Sequence, residues 1–533
     1  MIAEMWFIGL LLSLFVAADA APLNSRYAVI FDCGSTGTRV HVFSWTDTSH
    51  DSRLVGGLPD ILAVPGGNMK VKPGISSFEA HPEKAGTSIV PLLEMAEKVV
   101  PAPEHSRALV LLRATAGMRL VARRRAQRIY NSLFDAVLHR GTFTPQRAAF
   151  GTLSGEDEGV FGWLCANYLL QRAGRIRELG SVGALDLGGG STQLTLATTQ
   201  HAAETSMIDP RLAAEVTRPH AAPPPRVRLP GGREVSVYSR SHLGFGNKAV
   251  LAALSAHEAA ACLASGATSE WEPSNKSGDY TAYLNRGANE GPYALKGRGD
   301  FAACDAAVAR VLGSFDRSGQ PPLHGSRTPL RFVAMSLFFY VHHFADVAGL
   351  IGARPTGAHA DAAASAANGA APLGAHAVSA EQLHAAAMRL CAEPDSQLRR
   401  MVGKDPLTTE DALRWRCFDL TYAARLLTDG YGFSSDAAAV EFLGEVDGVE
   451  VEWTLGALLH ELLHEGSNAA AHEAHADQRT KAGVGSGHVG RDGSGHFMAV
   501  ALLCFGGLTV LLLRHLMRRS SHSRSPRVSV AKD

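Results

Sequence analysis

Two aspartates, Asp32 and Asp186, each close an apolar run and open a turn of small residues. The first turn reads Asp32-Cys33-Gly34-Ser35-Thr36-Gly37-Thr38, and the second reads Asp186-Leu187-Gly188-Gly189-Gly190-Ser191-Thr192, 154 residues later (186 − 32). Glycine-rich turns between strands let the backbone take positive φ and aim successive N–H groups at one point, a nest for phosphate oxygens. The hydroxyls of Ser35, Thr36 and Ser191 add donors. A carboxylate at each strand end suits a hard divalent cation, magnesium or calcium, that keeps most of its water and also touches the phosphates. The chemistry these residues describe is a metal–polyphosphate site. One Gly-Ser-Thr turn alone is more often an ordinary hairpin, but its repetition with matched aspartates reverses that weighting.

A third segment, Ser154-Gly155-Glu156-Asp157-Glu158-Gly159-Val160-Phe161-Gly162-Trp163-Leu164, has the pattern of a helix start. Ser154 with Asp157 fits a capping box, and Phe161, Leu164 and Tyr168 follow at helical spacing. Cleaving a phosphoanhydride needs a water aimed in line at the terminal phosphorus and an acceptor for its proton. Glu158 is a candidate for that acceptor, although acidic residues in a first helical turn also answer the helix dipole, which is the better account of Glu156 and Asp157.

The elements that position these groups follow from the pattern around them. Apolar runs at Tyr27–Phe31 and Val182–Leu185 precede the turns, and alternating runs at Arg39–Phe43 and Gln193–Leu196 follow, so the repeated unit is strand, turn, strand. Two such units suggest two similar domains with their turns facing across a cleft, and 533 residues exceed what one core usually organises. Lys plus Arg equal Asp plus Glu at 51 each, a balance that argues against a nucleic-acid partner. Nothing in the sequence sets the oligomeric state.

The ends point to a membrane. Residues 1–20 read as a signal peptide with a small-residue cleavage site, or as an N-terminal anchor, since Glu4 stands where a basic residue is usual. Phe497 to Leu513 is apolar and uncharged, and the tail 514–533 carries Arg514, Arg518, Arg519, Arg524, Arg527 and Lys532. That combination is a transmembrane helix with a cytoplasmic basic tail, which puts the rest of the chain in the lumen or outside the cell. Cys262, Cys304, Cys391 and Cys417 fit two disulfides in that oxidising space, whereas Cys33 and Cys165 lie in apolar runs as buried thiols. Asn275-Lys276-Ser277 is a glycosylation sequon. Residues 354–387, rich in Ala with Gly, His and Pro, read as a surface insertion, and 466–495 as a stalk.

Five separated segments, in order, resemble the apyrase or nucleoside triphosphate diphosphohydrolase family. They are Ile30 to Arg39, Leu112 to Leu120, Gly155 to Trp163 with Asn167 to Leu170, Gly183 to Gln193, and Phe332 to Tyr340, with a closing Trp453-Thr454-Leu455-Gly456. The resemblance implies two actin-like (RNase H-like) α/β domains, one from 27–154 plus 443–465 and one from 155–442. It implies hydrolysis of the terminal phosphate of nucleoside tri- or diphosphates, with Glu158 as base and with Ser191 and Gln193 orienting the water. Asp32 and Asp186 would hold the metal through its waters. Ser35, Thr36, Gly37, Thr115, Gly188, Gly189, Gly190 and Ser191 would contact phosphate. Trp453, with Tyr340 or Phe339, would stack on the base.

Cys33 in place of Ala, the Cys-free stretch Tyr238 to Gly246 and the reduced disulfide set Cys262–Cys304 and Cys391–Cys417 resemble the Golgi and endolysosomal branch. That branch implies lumenal clearance of GDP or UDP; a broad cell-surface apyrase or a non-catalytic nucleotide receptor are the alternatives. His460-Glu461-Leu462-Leu463-His464 also fits the zinc-protease pattern, but lacks a third ligand at the usual spacing and reads better as a polar helix end.

Overall fold

The computed structural model describes residues 25–464, apart from 47–53, 56, 199–224, 231–232, 272–292, 322, 324–330, 352–376 and 436–439. The N-terminal segment, Asn275, most of the Ala-rich insertion, the stalk, the 497–513 segment and the basic tail lie outside the described residues. Among the described residues no helix is long and apolar enough to cross a membrane.

The first sheet has five strands: β1 (Ser25–Cys33), β2 (Thr38–Thr46), β3 (Leu62–Val71), β4 (Leu109–Ala114) and β5 (Phe150–Thr152). Their spatial order is β3-β2-β1-β4-β5. β1 runs antiparallel to β2 and parallel to β4. Its nearly continuous apolar run, with Ala28, Val29, Ile30 and Phe31 fully buried, is what a strand covered on both faces requires.

The second sheet repeats this arrangement. It contains β6 (Gly183–Leu187), β7 (Ser191–Thr198), β8 (Arg226–Arg228), β9 (Glu234–Leu243), β10 (Phe332–Ser336), β11 (Ala377–Val378) and β12 (Val440–Phe442). The order is β8-β9-β7-β6-β10-β12-β11, with β6 antiparallel to β7 and parallel to β10. The sequence repeat is therefore a repeat of topology, a two-stranded ribbon feeding parallel strands, with β8 and β11 added at the edges. The β1–β2 and β6–β7 turns carry the two Gly-rich segments.

Helix α1 (Gly155–Arg172) packs on the second sheet, and its start forms one half of the expected capping box: the Ser154 hydroxyl accepts from Asp157 N at 3.0 Å. Trp163 and Tyr168 on α1 are fully buried. Gly159 lets α1 sit down on β7, because a Cβ there would lie 2.5 Å from Thr195 Oγ1. After β12 the chain returns to the first sheet. Asn68 Nδ2 donates to Glu450 at 3.1 Å, His41 Nδ1 stands 2.8 Å from Glu452, and residues 453–464 form a helix whose Gly456 presses on Phe161.

The Ala-rich segment is not wholly a surface insertion. Residues 377–378 are strand β11, and α2 (Ala380–Cys391) buries Leu383, Ala386 and Ala387. Ser379 and Gln382 close a reciprocal capping box that starts this helix, and small alanines allow it to pack closely against α3 (Arg416–Arg425). The Cys391–Cys417 disulfide joins these two helices, Cys262–Cys304 forms the second bridge, and Cys33 and Cys165 are buried free thiols.

Candidate active site

β1 and β6 end beside one another at an open cleft. Asp32, Ser35, Thr36, Gly37, Thr115, Glu158, Asp186, Gly188, Gly189, Gly190, Ser191 and Trp453 all line it. The two turns touch, since a Cβ at Gly189 would meet Ser35 Oγ at 3.1 Å. The turn glycines do not take the positive φ expected of them. Their reason is close approach: a Cβ on Gly37 would lie 2.7 Å from the Val71 carbonyl and 2.8 Å from Lys70 Cε.

Glu158 enters this cleft from the first turn of α1 and is held by two groups. Arg119, from the loop after β4, donates to its Oε2 and also donates to the Leu153 carbonyl at 3.0 Å. Gln193 Nε2 stands 3.3 Å from the same oxygen and donates to Ser191 Oγ at 2.9 Å and Ser241 Oγ at 3.0 Å. Burial, opposed by Arg119 and reinforced by Asp186, pushes the Glu158 carboxyl up to about 7. A carboxylate at that value accepts a proton near neutrality far better than an exposed glutamate does. Gln193 Oε1 is buried without a hydrogen-bond partner among the described residues, which leaves an acceptor free for the second proton of a water.

Asp32 and Asp186 are both pushed up to about 6, chiefly by burial, with Glu452 raising each further and the Ser336 hydroxyl opposing the shift at Asp186. Asp32 Oδ1 is buried with no hydrogen-bond partner among the described residues. Carboxylates desolvated at the cleft, one with an unanswered oxygen between hydroxyl-bearing turns, fit a hard divalent cation and its waters. Ser336 sits at φ 59°, an uncommon conformation for a residue with a side chain, as groups held at functional sites often do.

A model of the GDA1/CD39 (nucleoside phosphatase) family matches residues 19–470. The chain belongs to that family. It is a hydrolase acting on nucleoside phosphates. Ectonucleoside triphosphate diphosphohydrolase 5 from Gallus gallus is 27% identical over 476 residues, covering 86% of this chain and 92% of its own. Human nucleoside diphosphate phosphatase ENTPD5 is 27% identical with the same coverage. Human ectonucleoside triphosphate diphosphohydrolase 2 is 29% identical over 86% of this chain and 87% of its own. The crystal structure of nucleoside triphosphate hydrolases from Neospora caninum superposes with a TM-score of 0.55 at 16% identity, over 87% of this chain and 98% of that one, a likeness of fold.

Several residues of this GDA1/CD39 member's site escaped sequence reasoning: Arg39, Lys70, Ser336 and Glu452 line the cleft, and Arg119 and Ser241 hold Glu158 and Gln193 beside it. Arg39 and Arg119 lie inside the matching segments and were legible as motif members, though not as cleft groups. Lys70 and Ser241 carry no local signal, because long-range strand pairing brings them in. Of the two expected base-stacking groups, Trp453 reaches the cleft and Tyr340 does not line it; the Tyr340 hydroxyl contacts Arg39 instead. Phe339 packs on Tyr340 and against Gly444. His460 and His464 stand 3.1 Å apart, and among the described residues no third ligand group completes a metal site with them.

Proposed function

We propose that the chain hydrolyses the terminal phosphoanhydride of nucleoside diphosphates, GDP and UDP foremost, to the monophosphate and phosphate in the lumen of an endomembrane compartment such as the Golgi. The observation that carries the reading is the Glu158 carboxylate, buried, raised to about 7 and bound to a glutamine that also holds Ser191. Water oxygen forms the new bond to phosphorus, the bridging oxygen leaves with the nucleotide, and Glu158 takes the water's proton while Ser191 and Gln193 fix its orientation. Magnesium or calcium, held by Asp32 and Asp186 through water, would neutralise phosphate oxygens as charge shifts to the leaving group.

The diphosphate preference is supported by the human relative whose name is nucleoside diphosphate phosphatase. The paired sheets of like strand order support an actin-like reading of the fold, with two RNase H-like domains. The lumenal setting and a C-terminal anchor are supported by the apolar run 497–513 with its basic tail and by two disulfides.

The test is phosphate release by the full-length chain from ATP, ADP, GTP, GDP, UTP and UDP, with magnesium, calcium or EDTA, beside Glu158→Gln. Metal-dependent release, fastest on GDP and UDP and lost in the variant, supports the proposal. Equal rates on all six nucleotides would replace it with a broad apyrase, and nucleotide binding without release would make the chain a receptor.

A further inference from the structure

We propose that Arg39 and Lys70 form a cationic subsite for a phosphate group on the first-sheet wall of the cleft. The inference deepens the hydrolase reading and rests on it.

The two side chains belong to one cross-strand row. Asp32 pairs in register with Arg39 on β2, and Arg39 pairs with Lys70 on β3. Directly opposed residues share a face of the sheet, so all three project on one side, and all three line the cleft. Neighbouring strands lie about 5 Å apart, which sets Lys70 roughly 10 Å from Asp32 at the backbone, a gap that a lysine side chain leaning inward largely closes.

That inward path is built. The Lys70 chain passes over Gly37, where a Cβ would come within 2.8 Å of Lys70 Cε, so any larger residue at 37 would block it. Arg39 is steadied from the other side by the Tyr340 hydroxyl. Among the described residues, neither Arg39 nor Lys70 stands at ion-pair distance from a carboxylate, although Arg172, Arg175, Arg240 and Arg416 each find one. Partial desolvation disfavours the Lys70 ammonium, Arg39 and Lys72 repel it, and Asp32 attracts it.

Like charges facing each other on paired strands destabilise a sheet unless an anion lies between them. A cleft wall carrying two cations outside ion-pair distance of the described carboxylates, with Glu452, Asp32 and Glu450 acting on Arg39 from farther off and Asp32 one register step away, is complementary to phosphate oxygens, which accept charge-assisted hydrogen bonds from both side-chain types. The shared ligand is a phosphate group, either the terminal one on the nucleotide or the inorganic phosphate it becomes.

The experiment separates those sources and does not depend on turnover. The full-length chain is titrated with inorganic phosphate in the calorimeter in the presence of magnesium, and kcat and KM are measured on GDP, for the parent, Lys70→Gln, Lys70→Arg and Arg39→Gln. We expect Lys70→Gln to weaken inorganic phosphate at least tenfold and to lower kcat/KM at least tenfold, with Lys70→Arg within threefold of the parent on both. Because Lys70 is exposed on an edge strand, an unchanged melting temperature will show that Lys70→Gln is folded. A fall in kcat/KM alone assigns the subsite to the nucleotide-borne phosphate. Unchanged phosphate binding together with unchanged kcat/KM in both glutamine variants overturns the proposal. Phosphate binding that needs Lys70 in a chain that hydrolyses no nucleotide leaves the subsite standing and removes the hydrolase reading.

Discussion

Gln193 Nε2 lies 3.3 Å from Glu158 Oε2, joining the third residue of strand β7, which follows the Gly-rich turn, to the first turn of helix α1. One amide thereby fixes the proposed base and, through its 2.9 Å bond to Ser191, the hydroxyl beside it. Glu158→Gln removes the proton acceptor and keeps the shape. It is expected to lower kcat by at least about a hundredfold, the usual contribution of a positioned base, with nucleotide binding retained. Steady-state rates beside equilibrium nucleotide binding measure this, and a kcat within tenfold of the parent would move the base elsewhere.

The acidity of Glu158 sets a pH limb. Its carboxyl titrates at about 7, and only the ionised form accepts a proton. Activity should therefore fall about tenfold per pH unit below that value and level off above it. The limb is read from kcat/KM between pH 5 and 9 at saturating magnesium, and a flat profile across pH 6 to 8 would contradict the assignment.

Stability should show the opposite slope when the cation is removed. Asp32, Asp186 and Glu158 have folded values raised above their ordinary 3.8, 3.8 and 4.5. Between about pH 4 and 7 the native state thus holds protons that the unfolded chain has released, and raising pH through that window costs these three sites stability. In EDTA, the melting temperature difference between pH 5 and pH 8 should change toward greater stability at pH 8 when Asp32→Asn and Asp186→Asn are combined. Magnesium should raise the melting temperature of the parent more at pH 8 than at pH 5.

Gly246 is a steric requirement of the second turn. A Cβ there would sit 2.3 Å from Gly190 N and 2.4 Å from Gly189 C, both backbone atoms of the phosphate-facing segment. Gly246→Ala is expected to displace that turn and lower kcat/KM at least tenfold. Kinetics on GDP and a thermal melt check it together, and near-parental kinetics would show that the turn yields without loss.

The disulfides close loops of 42 and 26 residues. By loop-closure entropy each contributes roughly 3–4 kcal/mol. Replacing both cysteines of either pair with serine should lower unfolding stability by an amount of that order, measured by denaturant melts, while an unchanged midpoint would mean the bridge adds nothing beyond the packing around it.

Much of this architecture could be read from the chain before folding was considered, because the two aspartate turns repeat and the strands beside them keep their periodicity. Asp32 and Asp186 come together as the repeat required, and Ser154 begins the helix that delivers Glu158. The reading failed where meaning depends on pairing across long distances. Lys70 is one alternating residue of an exposed strand until β2 sets it beside Arg39, and Ser241 gains its bond to Gln193 only through β9. Composition misled at 377–387, where alanine repeats looked unfit for a core but form the close-packed face of a helix. Tyr340, in another matching segment, meets the cleft through its hydroxyl on Arg39.

The chain crosses between the two sheets twice, once through 153–182 with helix α1 and once through 443–451 on the way back to Asn68 and His41. A body attached at one point can swivel freely, whereas one attached at two can swing only about the line joining them. Two crossings, with the core residues the sheets share, restrain relative motion of the sheets more than a single crossing would. Arg119, hung from the first sheet, grips a carboxylate rooted on the second. That ion pair ties the two sheets together at the cleft, so parting the sheets there would also part Arg119 from Glu158.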